Sequence, residues 1–545
     1  MTTTGELLQR LDWTPPGPGS WTLDKTHVPR PATAHLQRVV PAFSEGFEAS
    51  AAAYGWLIGK FNITAVNGFV YSNVQIVDLD EMPERFQRCE QAFATKRWRA
   101  EVERWDSVVK PAALAAHRDL LAVDLEALDD ADLSAYLHRC HDHHAEMWRQ
   151  HHRFNGTHMV PVGDFVVGAS EWTGLPPVEI AGLLRGSSPI SRGWCPETEA
   201  LVEAIRAVPE ASDILTEDDA EVVLDRLHRV NDDVATALEA WLTVTGNRPV
   251  DGFDIADPTG IEIPAMMVSC IRNALAPRAP EVDDAEVDRV RALVPADRRD
   301  DFDDRLAEAR HCYRIRDERG IYSDALACGI VRRALLATGR RLERRGRLPR
   351  AVLAIDATIE ELVELLDAPD PSLIAVLEDR ALFRSSLTIS DAPPFLGEPP
   401  GEPPSFDALP EHAARMMKAL VGVNANDVSA GTTTAEPTGE RVLQGVPASP
   451  GIHRGVARVV LSPDDLDRLE EGDVLVTITT GEAFNIAIAM VSALVTDQGS
   501  LMSHAGITAR EYGIPAVVGA SAATTQIPDG AVIEVDGSAG TIRWT

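Results

Sequence analysis

The sequence predicts a mostly α-helical body joined by a proline-rich linker to a C-terminal α/β domain. Three observations predict it. From about Ala34 to Ala392, apolar residues recur three and four apart between long charged faces, most plainly over Ala131–Phe154 and Asp301–Arg345. At Asp391–Phe406 the run DAPPFLGEPPGEPPSF places six prolines and two glycines in sixteen residues, which disfavours helix and sheet. After about Arg441, valine-rich runs of four to six residues alternate with glycine turns, the pattern of buried strands in an α/β domain.

In chain order, the opening MTTTGELLQRLDW lacks a basic region followed by an apolar run, so it does not read as a signal peptide. The most apolar early segment, Ala51–Ile58, is too short to span a bilayer. Two breaks interrupt the helical body: Gly156–Pro177, rich in Gly, Pro and Val, and Gly246–Pro264, an extended loop. Loops within a rigid scaffold often line a site. After the proline-rich spacer comes a short helix at about Glu411–Leu420, then the small polar run Asn424–Glu440, a flexible tether. Two linkers in close succession imply that the C-terminal domain moves. The expected domains are 1–390, 391–440 (the mobile linker) and 441–545.

With 545 residues the chain exceeds the size of one hydrophobic core. Its 84 acidic and 51 basic residues give a net charge of -33, which excludes a surface built for nucleic acid or an anionic membrane. Six scattered cysteines without a CxxC pair fit a reduced, cytoplasmic setting and imply neither disulfides nor a metal site.

The stretch LVTDQGSLMSHAGITAREYGIPAVVG, Leu494–Gly519, reads as strand, small-residue loop, helix and strand. Ser503 is a candidate N-cap, which puts His504 in the first helical turn, where unpaired backbone N–H groups and the helix dipole favour negative charge. A phosphoryl group on that imidazole would enter a preformed anion site; a satisfied surface histidine is the plainer alternative. The position of this unit after a double linker suits a carrier.

The run SHAGITAREYGIPAVVG, with GVPASPGIHRGVARVV and GDVLVT before it and DGAVIEVDGSAGTI after it, resembles the swivelling phosphohistidine domain of the phosphoenolpyruvate-utilising, dikinase-like enzymes. The resemblance runs from about Arg441 to the C-terminus and implies that His504 is phosphorylated at a nucleotide site and carried to a second site. Two positions depart from the family pattern: Gly499-Ser500 stands where two glycines are usual, and Gly506 where alanine is common.

The order of helical body, linker and histidine domain is similar to the rear part of rifampin phosphotransferases. EAWLTVTGNRPVDGFDIADPTGIEIP resembles a G-x-R motif followed by an acidic-hydrophobic-proline segment, marking Arg248, Asp254, Pro258 and Glu262. YRIRDERG resembles the arginine-acid-basic motif of the acceptor site; it marks Arg316, and Arg319 one position out of register. WTLDKTHVPRP resembles the start of the acceptor domain, so His27 is a candidate to face the site. Bidentate guanidinium groups suit a step that consists mainly of positioning and charge neutralisation.

No barrel domain follows the histidine domain and no glycine-rich phosphate loop precedes it. By resemblance this implies no pyruvate site, and ATP with Mg²⁺ bound mainly by a separate ATP-grasp subunit. The arrangement resembles the larger subunit of two-component aryl kinases of the phenylphosphate synthase and hydroxyacetophenone kinase type, which phosphorylate phenolic hydroxyls in aromatic catabolism. The expectation is a phosphotransferase in which His504 forms a covalent phosphohistidine and Arg316 and Arg248 hold the phosphoryl group. The rivals are a rifamycin-type antibiotic phosphotransferase component and a phosphocarrier serving another protein.

HRCHDHHAEMWRQHHRFNGTH, His138–His158, holds seven of the fifteen histidines. On a helix His141, His144, Trp148 and His151 share one stripe. A metal site, a solvated polar helix and an acceptor pocket with a histidine base and an apolar Trp148 wall all remain open. Nine of the ten tryptophans precede residue 250, which suits a flat, largely apolar substrate.

Overall fold

The computed structural model describes all residues except 1–6, 10, 26, 29, 251–252, 276–283, 400, 402–404, 423–432, 436–440, 462–464, 466–467, 481–487 and 489. Most of the tether expected at 424–440 therefore lies outside the described residues. The chain divides into two compact units, and neither is continuous. The first comprises residues 1–156, 252–258 and 319–413; the second comprises 157–251, 259–318 and 414–545. Domain limits at 390 and 440 follow chain order, whereas compactness groups part of the helical body with the C-terminal α/β fold.

The first unit is helical but carries a four-stranded sheet that the periodicity did not predict. Its strands β1 (Ser20–Leu23), β2 (Ile58–Val66), β3 (Phe69–Ile76) and β4 (Phe395–Gly397) lie in the order β2-β3-β1-β4. β2 and β3 form a hairpin across Asn67-Gly68, both with positive φ (51° and 78°), the backbone a two-residue turn requires. β4 corrects the reading of 391–406 as a spacer without sheet: Phe395, Leu396 and Gly397 pair antiparallel with Thr22, Trp21 and Ser20. Buried Trp21, Phe69, Tyr71 and Leu396 cover one face of this sheet. The main core of the unit lies between the histidine-rich helix Asp130–Arg153 and the helix Leu326–Arg344.

In the second unit the break expected at Gly156–Pro177 is instead a helix, Asn155–Thr173, continuing through Pro161. Burial overrides propensity here, because Val160, Val162, Phe165, Val166 and Ala169 are all inside. Gly163 is required by packing: a Cβ there would overlap the Ala419 carbonyl of the helix Glu411–Gly422. The second expected break, Gly246–Pro264, runs from the end of the π-helical turn Leu242–Gly246 to the start of the helix Pro264–Leu275, and its described residues include the 3₁₀ turn Gly260–Glu262 and an antiparallel bridge between Pro249 and Thr259.

The α/β part is a nine-stranded sheet built from β5 (Thr433–Ala435), β6 (Arg441–Gln444), β7 (Val446–Ser449), β8 (Ile452–Val459), β9 (Val474–Thr477), β10 (Ala493–Thr496), β11 (Ala516–Val518), β12 (Val532–Asp536) and β13 (Thr541–Trp544). The order is β5-β6-β13-β12-β8-β9-β10-β11-β7. The run β8-β9-β10-β11 is parallel and the remaining pairs are antiparallel. Every residue of β9, β10 and β11 is buried, which is why these segments read as uninterrupted valine-rich runs. All six cysteines are free, and among the described residues no helix is long and apolar enough to cross a membrane.

Candidate functional site

β10 leads into the loop 497–503, which turns at Gly499. Its φ of 130° and a Cβ position 2.8 Å from Ser503 Oγ both demand glycine. Ser503 then caps the helix His504–Tyr512, its side chain accepting from the Gly506 N–H, so His504 is the first helical residue. Gly506, where alanine is common in the family, is explained by space, since a Cβ there would lie 2.8 Å from the Leu501 carbonyl oxygen.

Two threonines flank the half-buried His504 ring. Thr480 Oγ1 lies 3.1 Å from Nδ1, and Thr508 Oγ1 lies 3.4 Å from Nε2. Burial lowers the ring pKa to about 4; Asp317 opposes this, and Arg316 and Arg248 reinforce it. The ring is therefore a neutral nucleophile throughout the physiological range. Asp317 itself is buried, which works to raise its pKa, but Arg316, His504 and a hydrogen bond from Ser191 Oγ outweigh burial and hold it ionised. The structure thus brings His504, Arg316 and Arg248 together, and it adds Asp317, Thr480, Thr508 and Ser191, which the sequence reading missed. Asp317 was within reach, because it directly follows Arg316 in YRIRDERG.

The rest of the His504 helix is buried although polar. Thr508 Oγ1 donates to the Ser191 carbonyl, Arg510 donates to Tyr313 Oη at 3.0 Å and to the Ala448 carbonyl, and Glu511 accepts from the Gly186 N–H at 3.0 Å. Leu501, Met502 and Ile507 share a core with Val162, Phe165 and Tyr313. The second unit therefore holds His504 against the part of the helical body that supplies Arg316 and Arg248.

The other candidate residues are distributed differently. Glu262 accepts from the Thr259 N–H and hydroxyl in a capping box, at 2.9 and 3.0 Å. Asp254, in the first unit, holds the Thr33 N–H and hydroxyl at the start of the helix Ala34–Val39. Arg319 also belongs to the first unit, where it donates to the His151 carbonyl at 3.0 Å and to Asn155. His27 is exposed, bound to Asp24 at 3.0 Å and facing Phe253 with ring centroids 5.7 Å apart.

Most of the histidine-rich helix is wired into the first unit's interior. The indole of Trp148 can only donate, so His144 Nε2, 2.9 Å away, accepts, and His144 Nδ1–H donates to His35 Nε2 at 2.9 Å. His117 Nε2–H donates to the Tyr322 carbonyl at 3.1 Å, leaving Nδ1 to accept from His143 Nε2 at 2.9 Å. Burial keeps these rings neutral: His35 and His117 are lowered to about 3 and His143 to about 4. His141 is partly buried and also lowered, again chiefly by burial. His151 is different in kind, because its Nδ1 lies 2.6 Å from a carboxylate oxygen of the buried Asp324. Among the described residues no group of three or more His, Cys, Asp or Glu side chains is arranged to hold a metal ion.

Residues 469–540 match the family described as PEP-utilising enzyme, mobile domain. The chain is 27% identical to the chondramide synthase of Chondromyces crocatus over 92% of its own length and 13% of that protein's. It is 28% identical to the rifampicin phosphotransferase of Streptomyces sviceus over 63% of its length, covering 38% of that protein. A phosphoenolpyruvate synthase of Aeropyrum pernix matches 20% of the chain at 47% identity, and the chain covers 13% of it. The chain thus spans well under half the length of these relatives. His504, capped at a helix start beside two arginines, falls inside the stretch that matches the mobile domain of the PEP-utilising enzymes.

Proposed function

We propose that the chain is the carrier and acceptor part of a phosphotransferase, in which His504 receives a phosphoryl group from ATP on a separate ATP-grasp subunit and passes it to the hydroxyl of a phenolic small molecule. The observation that carries this reading is His504 itself: a neutral ring at a capped helix N-terminus, with Arg316 and Arg248 acting on it. The helix N–H groups and the two guanidinium groups neutralise the charge of a phosphoryl group, and Asp317 and Ser191 fix where Arg316 points. The phenolic acceptor is supported by the aromatic side chains of the first unit, where Phe253 lies within 6.4 Å of His27, Trp148 and His151.

A rifamycin-type acceptor is the second reading, supported by the similarity to rifampicin phosphotransferase over 63% of the chain. The test is reconstitution with an ATP-grasp subunit and ATP. Acid-labile phosphate should accumulate on His504, and phenol should be converted to an aryl phosphate while a rifamycin is left unchanged. Aryl phosphate formation that survives His504→Ala would defeat the carrier mechanism, and consumption of the rifamycin in place of phenol would select the second reading.

A further inference from the structure

Ser191 touches both sides of the His504 site. Its carbonyl oxygen accepts from Thr508 Oγ1 at 3.4 Å, and Thr508 stands one helical turn after His504, with the same hydroxyl 3.4 Å from Nε2. The Ser191 hydroxyl donates to Asp317 Oδ2, and Asp317 Oδ1 accepts from Arg316. Ser188, Ser191, Asp317 and Thr508 are all buried, so these bonds are formed away from water.

The direction of each hydrogen bond follows from the charges. Asp317 is held ionised and can only accept, so the single proton of Ser191 Oγ goes to it. Ser191 Oγ must then accept from Ser188 Oγ, 2.7 Å away, which leaves the Ser191 hydroxyl one orientation. Both serines belong to one tight turn. Pro189–Arg192 is a 3₁₀ turn with Ser188 as its N-cap; the Ser191 N–H donates to the Ser188 carbonyl at 3.0 Å, and Gly193 closes the turn with a φ of 69°. The carbonyl carbon and Cβ of Ser191 share one Cα, so in so short a turn a shift of the carbonyl moves the hydroxyl as well. The His504 helix grips the same region a second time. Glu511 accepts from the Gly186 N–H through both carboxylate oxygens at 3.0 Å, and Arg192 Nε lies 3.9 Å from it. Without the helix, the Gly186 N–H and the Ser191 carbonyl lose these partners, and a buried polar group left so is costly.

We propose that Ser191, backed by Ser188, is a positioning residue through which seating of the His504 helix aims Arg316. With the helix seated, Thr508 and Glu511 hold the turn, the Ser191 hydroxyl stays on Asp317, and Arg316 keeps a fixed direction. With the helix away, the turn loosens and Arg316 is no longer aimed. The guanidinium is then set for a phosphoryl group only while a carrier is present, and the phosphorylated product is released when the carrier leaves. This rests on the phosphotransfer reading with a carrier that moves.

The experiment uses the full chain, with no phosphoryl donor, and phenylglyoxal, which reacts with guanidinium groups; peptide mass spectrometry follows each arginine. The Arg316 side chain is 24% exposed and open to the reagent. Thr508→Val removes the donor to the Ser191 carbonyl at constant shape, and Ser191→Ala removes the bond to Asp317. Each should speed modification of Arg316 about fivefold, the scale of one hydrogen bond, and Thr508→Ser, which keeps the hydroxyl, should react at the wild-type rate. The double variant Ser191→Ala with Thr508→Val should be no faster than the faster single variant, because both act along one path. Arg291, paired with Asp303 at 2.8 Å outside the site, should keep its rate throughout. A wild-type rate at Arg316 in Thr508→Val, independent effects in the double variant, or an equal rise at Arg291 overturns the proposal; if Ser191→Ala does not fold, Thr508→Val decides. The expected rates without aryl phosphate in the reconstituted system would defeat the phosphotransfer reading alone, whereas transfer to phenol with an unchanged Arg316 rate in Thr508→Val would defeat this proposal alone.

Discussion

Thr480 Oγ1 lies 3.1 Å from Nδ1 of His504, across 24 residues of sequence. A ring that attacks through Nε2 must keep its proton on Nδ1, and a hydroxyl oxygen at that distance is an acceptor that holds it there. Thr480→Val removes the acceptor at constant shape. Phosphorylation of His504 should slow about tenfold, the scale of one lost buried hydrogen bond, and Thr480→Ser should restore it. Acid-labile, base-stable phosphate on the chain measures both.

Arg316 is held by Asp317, which in turn accepts from Ser191. A guanidinium fixed in this way presents its remaining N–H groups in a set direction, which an ammonium on a flexible stem does not. Arg316→Ala should slow discharge of phosphorylated His504 to the acceptor on the order of 10²-fold, and Arg316→Lys should recover only part. Single-turnover decay of the phosphorylated chain on adding phenol is the measurement, and unchanged decay in Arg316→Ala would remove the residue from the site.

The His504 region was legible because its signals are local. Ser503 as cap, small residues in the loop and buried valine runs on either side are each dictated within a few positions, and the structure has the cap, the helix and both strands. The β2-β3 hairpin was equally local yet overlooked: Asn67-Gly68 between ITAV and FVYS is a turn signal, outweighed by the helical periodicity around it. The helix through Pro161 was not legible, since only burial on all sides makes Gly, Pro and Val helical. Asp324 and His35 were hidden for another reason: their partners are 173 and 109 residues away, and no spacing rule reaches that far.

Glu511 is fully buried and accepts from the Gly186 N–H, with Arg192 Nε 3.9 Å away. Burial raises its pKa to about 7 against an ordinary value of 4.5, the amide and Arg192 opposing. The folded chain thus keeps this proton up to about pH 7 while the unfolded chain releases it near 4.5, so this group costs stability as pH rises through that window. Glu511→Gln keeps an acceptor for Gly186 and carries no charge. It should stabilise the second unit at pH 8 by on the order of 2 kcal/mol and leave it nearly unchanged at pH 4.5. Melting curves at the two pH values test this, and equal shifts at both would contradict it.

His117 titrates in the opposite sense. It is buried, donates through Nε2 to the Tyr322 carbonyl and accepts at Nδ1 from His143. Burial, with His143 adding to it, lowers its pKa from 6.5 to about 3, so the unfolded chain binds a proton that the folded chain refuses between those values. Stability from this residue is complete above pH 6.5 and declines as pH falls towards 3, by up to about 1.4 kcal/mol per pH unit. Asp324, raised to about 8, works against this slope at the upper end, so the slope of the wild type alone is ambiguous. His117→Gln isolates the residue, because its amide donates to Tyr322 and accepts from His143 without titrating. Whatever its stability at pH 8, the variant should gain on the wild type steadily as pH drops below 6.5, and denaturant unfolding followed at pH 8, 6, 5 and 4 reads the difference. Parallel pH profiles for the two proteins would show that His117 takes up its proton in the folded state as readily as in the unfolded one.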